Sequence, residues 1–330
     1  MTSADPSEAA APQAAASHLA PRSHVVVTGG AGFVGSRMVD RLLERGHRVT
    51  VVDNLCTGRR ENLAQHAGHE GLTTLWRDCC DELPIEGPVG AVLHLASPAS
   101  PVDFARIPLE ILRVGSVGTE RALELAAAKG AAFLLASTSE VYGDPDVFPQ
   151  PESYWGHVNP IGPRSVYDEA KRYAEALTMA YRRHRGVQTQ IARIFNTYGP
   201  RMRPDDGRVL PAFVQAALAG EPLPVHGDGR QTRSFCYVDD TVDGLLAVLE
   251  HGDGEPVNVG ARGELSILEF AHLVAELAGH PGAVEHQPAN VDDPRRREPD
   301  VTRLTALGWR PRVGLRDGLQ RTVEWFRSQA

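Results

Sequence analysis

The chain has 330 residues, 42% of them hydrophobic and 23% charged, with a formal net charge of −8. That length and apolar content suit one large core with a smaller lobe beside it, and the acidic balance argues against a nucleic-acid partner. No apolar run approaches the ~18 residues of a membrane-spanning helix, so no membrane association is expected and a cytoplasmic location is.

Residues 1–22 are rich in Ala, Pro and Ser and lack a basic stretch followed by an apolar one, so a disordered tail is expected. The run Val25-Val26-Val27 then reads as a buried strand. It passes into glycines spaced G-x-x-G-x-x-G, at Gly29, Gly32 and Gly35, with Phe33 and Val34 between the last two, and a helix is expected over 36–45. Such a turn lets backbone approach a pyrophosphate at a helix N-terminus. A second strand, His47 to Val52, ends in Asp53 at about the ~20-residue spacing of an acid that binds ribose hydroxyls, with Asn54 next. Its carboxylate would repel a 2′-phosphate, which favours NAD over NADP.

A third strand, Leu72 to Trp76, precedes Asp78, which is either an acceptor for an adenine amino group or a solvated loop carboxylate. The four cysteines, Cys56, Cys79, Cys80 and Cys236, show no C-x-x-C spacing. They indicate neither a metal site nor a disulfide framework, and the adjacent pair reads as two small residues near a strand end. The fourth strand, Ala91 to Leu95, runs into a small-residue turn through Ala96 and Pro98 that fits beside a cofactor. His94, between apolar neighbours, reads as a packed, hydrogen-bonded histidine.

Helical spacing covers Leu109 to Lys129, with Gly130 as its stop. The fifth strand, Ala131 to Ala136, delivers Thr138, Ser139 and Glu140 at the carboxyl edge where ligands sit in an open parallel sheet. The polar segment up to Arg164, with Tyr154, Trp155, His157 and Asn159, is too long for a simple connection and is expected to help cover the site. A helix over Ser165 to Arg185 places Tyr167 and Lys171 on one face. A phenol with a pKa near ~10 needs a neighbouring ammonium before it can act as a base at neutral pH.

After a sixth strand, Val187 to Ile194, the alternation of strand and helix breaks down, which marks a second lobe. There Arg230 and Arg233 suit bidentate oxygen ligands. Helices are expected over Val238 to Glu250, capped by Asp239 or Asp240, and over Ile267 to Ala278. The run Arg295-Arg296-Arg297 reads as a solvated loop. The fold class is therefore α/β: a Rossmann-type doubly wound parallel sheet with a smaller C-terminal substrate-binding lobe. Residues 23–196 with 234–262 would bind NAD, and 197–233 with 263–330 would form the lobe.

From residue 23 onward the chain resembles the extended short-chain dehydrogenase/reductase family and, within it, the UDP-glucuronate decarboxylases. The runs that carry the resemblance are His94 to Pro101, Leu134 to Pro145, Tyr154 to Pro163 and Arg193 to Thr197. The pair Ser139-Glu140 separates it from the similar dehydratases, which carry Asp-Glu there to protonate a leaving hydroxyl.

The resemblance implies that Thr138, Tyr167 and Lys171 remove the proton from the sugar 4-hydroxyl while bound NAD takes the hydride. The resulting β-keto acid loses carbon dioxide into the adjacent carbonyl, and the hydride returns to the 4-keto pentose, giving UDP-xylose. It further implies that Glu140 and Arg233 handle the carboxylate-bearing carbon with Ser139 in support. Cofactor contacts would come from Gly29, Gly32, Phe33, Val34, Gly35, Asp53, Asn54, Asp78, Leu95, Ala96, Tyr167 and Lys171. The UDP-sugar would be held by Pro98, Phe104, Glu140, Asn196, Arg201, Arg230 and Arg233, with Asn196 and Arg230 on the diphosphate. No metal is implied. A homodimer through helices 109–129 and 165–185 is, using Ala122, Ala126, Ala170, Ala174 and Leu177.

Two departures stand out. Phe104 replaces a substrate-facing Tyr, so some UDP-4-keto-pentose is expected to escape, and Gly115 replaces an Asn and is expected to loosen its helix by ~1 kcal/mol relative to Ala. No membrane anchor like that of animal relatives is expected at the N-terminus. The competing readings are a nucleotide-sugar 4-epimerase or 4,6-dehydratase of the same superfamily, and a non-catalytic NAD-binding sensor.

Overall fold

A computed structural model describes residues 17–289 and 294–329. The strands β1 (His24–Thr28), β2 (Arg48–Asp53), β3 (Leu72–Trp76), β4 (Ala91–His94), β5 (Ala132–Thr138) and β6 (Thr189–Ile194) join Val257–Val259 in a seven-stranded sheet. Its order is Val257–Val259, β6, β5, β4, β1, β2, β3, and every pairing is parallel. The chain thus winds outward from β1 to β3, returns to β4 and winds the other way. The carboxyl ends of β1 and β4 flank the point of reversal, where such sheets open a crevice.

The β-branched run in β1 serves both faces, as period-2 alternation requires. Val25 and Val27 pack with α1 (Phe33–Glu44) and α7 (Val238–His251), while Val26 packs against α4 (Thr119–Lys129) and α5 (Ser165–Arg185). The second lobe has its own core, built from α6 (Val209–Ala219), α8 (Ile267–Ala278) and α10 (Leu315–Gln329). A capping box starts α8: Glu269 N–H donates to Ser266 Oγ at 3.1 Å and Ser266 N–H to Glu269 Oε2 at 2.7 Å.

Several expectations need correction. Residues 17–22 are not tail: His18 N–H bonds Glu250 O at 2.9 Å and Leu19 is buried in the core, while residues 1–16 lie outside the described part. Helix α1 starts at Phe33, because the glycine turn ends in the helix itself. Neither Asp239 nor Asp240 caps α7. Tyr237 holds the cap position without a side-chain bond, Asp239 accepts from Arg37, and Asp240 accepts from the backbone of Arg312 and Val313.

The helix expected over 109–129 is three pieces, α3 (Pro108–Arg113), a π turn (Val114–Gly118) and α4. Gly115 sits where this element crosses α5. A Cβ there would stand 2.6 Å from Ala170 Cβ and 3.0 Å from Ala170 O, so the glycine also permits close contact between the two helices. Ala122, Ala126, Ala170 and Ala174 are buried within the chain itself, and the outward apolar residues of these helices are Leu109, Leu112 and Tyr173.

Candidate active site

A cavity of about 730 Å³ follows the carboxyl edge of the sheet from the glycine turn to the second lobe. Gly29 adopts φ +72 with its missing Cβ 2.7 Å from Ala96, and a Cβ on Gly35 would stand 2.0 Å from Gly29 O. The turn therefore exists only with glycines, and it leaves the α1 N-terminus open to the cavity. Asp53 closes this end: Oδ2 accepts from Ala31 N–H at 2.9 Å and Oδ1 from Leu55 N–H at 2.8 Å. Burial raises its pKa despite those two bonds. Arg59 and Arg60 are not among the residues lining the cavity, and Arg60 stacks on Trp76 at 4.7 Å. The wall continues through Asn54, whose Nδ2 donates to Asp78 Oδ2 at 3.2 Å. These groups fit an adenosine diphosphate with a free 2′-hydroxyl.

At the middle of the cavity, α5 presents Tyr167 and Lys171 beside the end of β5. Tyr167 hydrogen-bonds Thr138, and its ring stacks on Phe104 with centroids 5.1 Å apart. Burial pushes the phenol well above its ordinary pKa, with the Thr138 bond opposing. Lys171 Nζ donates to Ala136 O at 2.8 Å and lies 5.8 Å from the Tyr167 ring centroid. Burial lowers its pKa to about 8, so it carries its proton at neutral pH. His94 is the packed histidine expected: Nδ1 and Thr28 Oγ1 are 2.8 Å apart, and burial lowers its pKa to about 3.

Glu140 is the most heavily engaged group. Arg297 donates to it through both terminal nitrogens, at 2.9 and 2.8 Å, and Arg164 Nη2 lies 2.8 Å from Oε1. Burial would raise its pKa, yet the charges of Arg297 and Arg164, with their hydrogen bonds, hold it at about 2. Asp168, next to Tyr167, is pushed up to about 7 by burial and then by the charge of Glu140.

Arg297 is thus no solvated residue. It lies in a two-residue strand, Arg296–Arg297, parallel to Thr232–Arg233, where alternation sends Arg296 out to Glu264 and Arg297 in to Glu140. The basic triplet gave no sign of this, because a period of two is invisible in two residues. The expected cover is also different. Tyr154, Trp155, His157 and Asn159 do not line the cavity, whereas Arg164 at the end of that segment does. The segment instead braces the Arg297 strand, with Gln150 N–H donating to Glu298 O and Glu298 N–H to Gln150 Oε1 at 2.9 and 2.8 Å.

Every other proposed site residue lines the cavity except Arg230. Its side chain is 90% exposed, 3.7 Å from Asp228, because the turn before Thr232 projects into solvent. Arg233, one strand register inward, lines the cavity beside Phe235 and Gln231. Arg201 lies 2.9 Å from Asp40, and Asn196 Nδ2 donates to Ser234 O at 3.3 Å. Arg208, absent from the expected set, also reaches the cavity, paired with Asp206.

The model of the NAD dependent epimerase/dehydratase family matches residues 25–260. UDP-glucuronic acid decarboxylase 1 of Xenopus tropicalis is 49% identical over 309 residues, 93% of this chain and 73% of that protein. UDP-glucuronic acid decarboxylase 4 of Arabidopsis thaliana is 51% identical over 306 residues, 92% of this chain and 69% of that protein. The chain belongs to the UDP-glucuronic acid decarboxylase family.

Solved structures place the decarboxylase fold among sugar-nucleotide enzymes. A UDP-glucose 4-epimerase from Thermotoga maritima, with UDP-glucose, superposes with TM-score 0.85 at 34% identity, covering 93% of this chain and 99% of that one. A dTDP-glucose 4,6-dehydratase from Streptomyces venezuelae with NAD bound gives 0.83 at 30%, covering 92% and 97%. Backbone shape is common to all three groups, so the fold alone does not tell a decarboxylase from an epimerase or a dehydratase.

Proposed function

We propose that this family member decarboxylates UDP-glucuronate through the groups gathered around Tyr167 and Glu140. When bound, NAD supplies a hydride acceptor that is regenerated at the end of each cycle. Tyr167 Oη accepts the proton of the sugar 4-hydroxyl, relayed through Thr138. The Lys171 ammonium favours the phenolate that burial otherwise disfavours. Oxidation at that carbon makes a β-keto acid, whose carboxylate electrons flow into the new carbonyl as carbon dioxide leaves. The enolate then takes a proton from solvent at the carbon that lost the carboxylate, which restores the carbonyl. Tyr167 then returns its proton as the carbonyl is reduced.

The observation that carries the substrate is the charge around Glu140. Two arginines face the ionised Glu140, and burial and the charge of Glu140 push the pKa of neighbouring Asp168 up. The surplus positive charge suits a sugar that brings its own carboxylate and gives no advantage to a neutral hexose. Ser139 supports that group from the end of β5. Asn196 is assigned to the diphosphate and Arg233, with Glu140, to the carboxylate-bearing carbon, while Pro98, Phe104 and Arg201 line the sugar-nucleotide path.

Residues 23–196 with 234–262 form the NAD-binding part, and 197–233 with 263–330 the substrate part. The exposed Leu109, Leu112 and Tyr173 are the face for a homodimer. No described helix is long and apolar enough to cross a membrane, and a cytoplasmic site of action accords with a UDP-sugar substrate.

Purified protein given UDP-glucuronate should release one carbon dioxide per UDP-pentose formed, mostly UDP-xylose with some UDP-4-keto-pentose trapped by borodeuteride. Interconversion of UDP-glucose and UDP-galactose without carbon dioxide release would favour the 4-epimerase, and NAD binding without turnover the sensor.

A further inference from the structure

The adjacent thiols Cys79 and Cys80 are both buried, and both line the cavity with Asp78 at its cofactor end. A turn after β3, closed by Asp81 N–H to Asp78 O at 3.2 Å, folds the Asp78 carboxylate back so that Oδ1 accepts from Cys80 N–H at 2.8 Å. One carboxylate oxygen and both sulfurs then lie within 4.8 Å of one another. Both sulfurs also face Gly118, 3.2 and 3.4 Å from where a Cβ would stand, with Val114 Cγ2 of the same π turn 3.1 Å from that point. Ligands around a tetrahedral ion with ~2.3 Å metal–sulfur bonds are separated by about 3.8 Å. The three groups therefore need to close by only about 1 Å to reach it.

We infer that Cys79, Cys80 and Asp78 form a binding site for a thiophilic divalent cation, and that this cation and the adenine end of NAD exclude one another. Two thiolates and one carboxylate are a donor set for soft or borderline metals, with the cavity side open for solvent as a fourth ligand. Binding forms two sulfur bonds and one oxygen bond and releases the two thiol protons to solvent; no electron is transferred. The Asn54 amide bonded to Asp78 Oδ2 orients the carboxylate from the second layer. Exclusion rests on the NAD binding proposed above and on the first of the two sequence readings of Asp78, that it accepts from the adenine amino group. An oxygen bound to the cation is lost to adenine, and the cation stands in the same wall.

The test uses purified full-length chain and cadmium. Titration without NAD should give a thiolate-to-cadmium ultraviolet band saturating at one cadmium per chain. Cys79→Ser and Cys80→Ser should each abolish the band, whereas Cys56→Ser and Cys236→Ser should keep it. Because NAD itself absorbs in the ultraviolet, competition is read by equilibrium dialysis: at 100 times its own Kd, NAD should weaken apparent cadmium affinity about 100-fold.

A band that survives in both Cys79→Ser and Cys80→Ser, or no band at all, overturns the site. Should those variants not fold, alkylation of the parent chain followed by mass spectrometry decides. Cadmium should shield Cys79 and Cys80 from iodoacetamide, and unchanged alkylation overturns the site. An intact band with cadmium affinity indifferent to NAD overturns the exclusion. In that case an unaltered NAD affinity in Asp78→Ala locates the fault in the cofactor placement rather than in the thiols.

Discussion

Gly115→Ala puts two opposed effects in one substitution, and the structure decides between them. A glycine inside a helix costs ~0.5–1 kcal/mol relative to alanine, so on propensity alone the change should stabilise the chain. The new Cβ, however, would lie 2.6 Å from Ala170 Cβ and 3.0 Å from Ala170 O, where carbons normally pack at ~3.5–4.0 Å. The two helices must part by roughly 1 Å, an overpacking that costs ~1–3 kcal/mol. The steric effect is larger, and we expect a net loss of about 1 kcal/mol, read as a lower urea midpoint with an unchanged slope.

Activity should suffer more than stability. Ala170 lies one turn after Tyr167 and next to Lys171, so a displaced α5 moves the base away from Thr138. A 1 Å misplacement can cost ~100-fold in rate. Pairing the change with Ala170→Gly should restore much of the lost activity, because it removes the nearest of the clashing atoms. A Gly115→Ala protein that is more stable than the parent and equally active would refute the close-contact argument.

Tyr167→Phe keeps the stack on Phe104 but removes the ionisable oxygen, so NADH formation should vanish while NAD affinity holds; activity within tenfold of the parent, under ~1.4 kcal/mol of barrier, would assign the base elsewhere. Arg297→Met removes a bidentate partner from a buried carboxylate and should cost up to ~3–5 kcal/mol, less whatever Arg164 retains. Glu140 has a folded pKa of about 2 against an ordinary 4.5, so its stabilisation is complete above pH 4.5 and is lost as pH falls from there toward 2. Acid unfolding of Arg297→Met, followed by circular dichroism, should therefore begin at higher pH than in the parent, and coincident curves would show that the pair carries no linkage. Asp53→Ala should narrow the preference for NAD over NADP in calorimetric titrations, and an unchanged ratio would place discrimination elsewhere. Phe104→Tyr should reduce the keto sugar released beside UDP-xylose if a missing hydroxyl causes its escape, and an unchanged product ratio would show that stacking on Tyr167 already governs retention.

The parallel sheet and the helix carrying Tyr167 were legible because each announces itself locally. The valine run in β1, the glycine spacing after it and a periodic helix from Ser165 to Arg185 depend on neighbours in sequence. Most proposed cavity residues follow from the same logic, since strand ends in a wound sheet converge on one edge. Arg297 and Arg230 show where that logic stops. Which of several arginines turns inward was set by a two-residue strand pairing with Thr232–Arg233, a long-range event with no periodicity to reveal it. The packing role of Gly115 was hidden for a related reason, as helix propensity is a property of one helix and this contact comes from a second.

The Glu140–Arg297 pair spans 157 positions of sequence, which bears on the order in which the protein can be completed during synthesis. Domains tend to organise from the N-terminus as they emerge at ~5–20 residues per second, so the first six sheet strands exist several seconds before Arg297 does. Through that interval Glu140 has Arg164 but not its bidentate partner, and a carboxylate buried with incomplete pairing is costly. The nascent sheet therefore gains by keeping the end of β5 open to water until the Arg296–Arg297 strand docks. Closure of the catalytic edge becomes a late step that reports arrival of the C-terminal segment, and a chain truncated before residue 297 would carry a nearly complete cofactor fold with an edge it cannot seal.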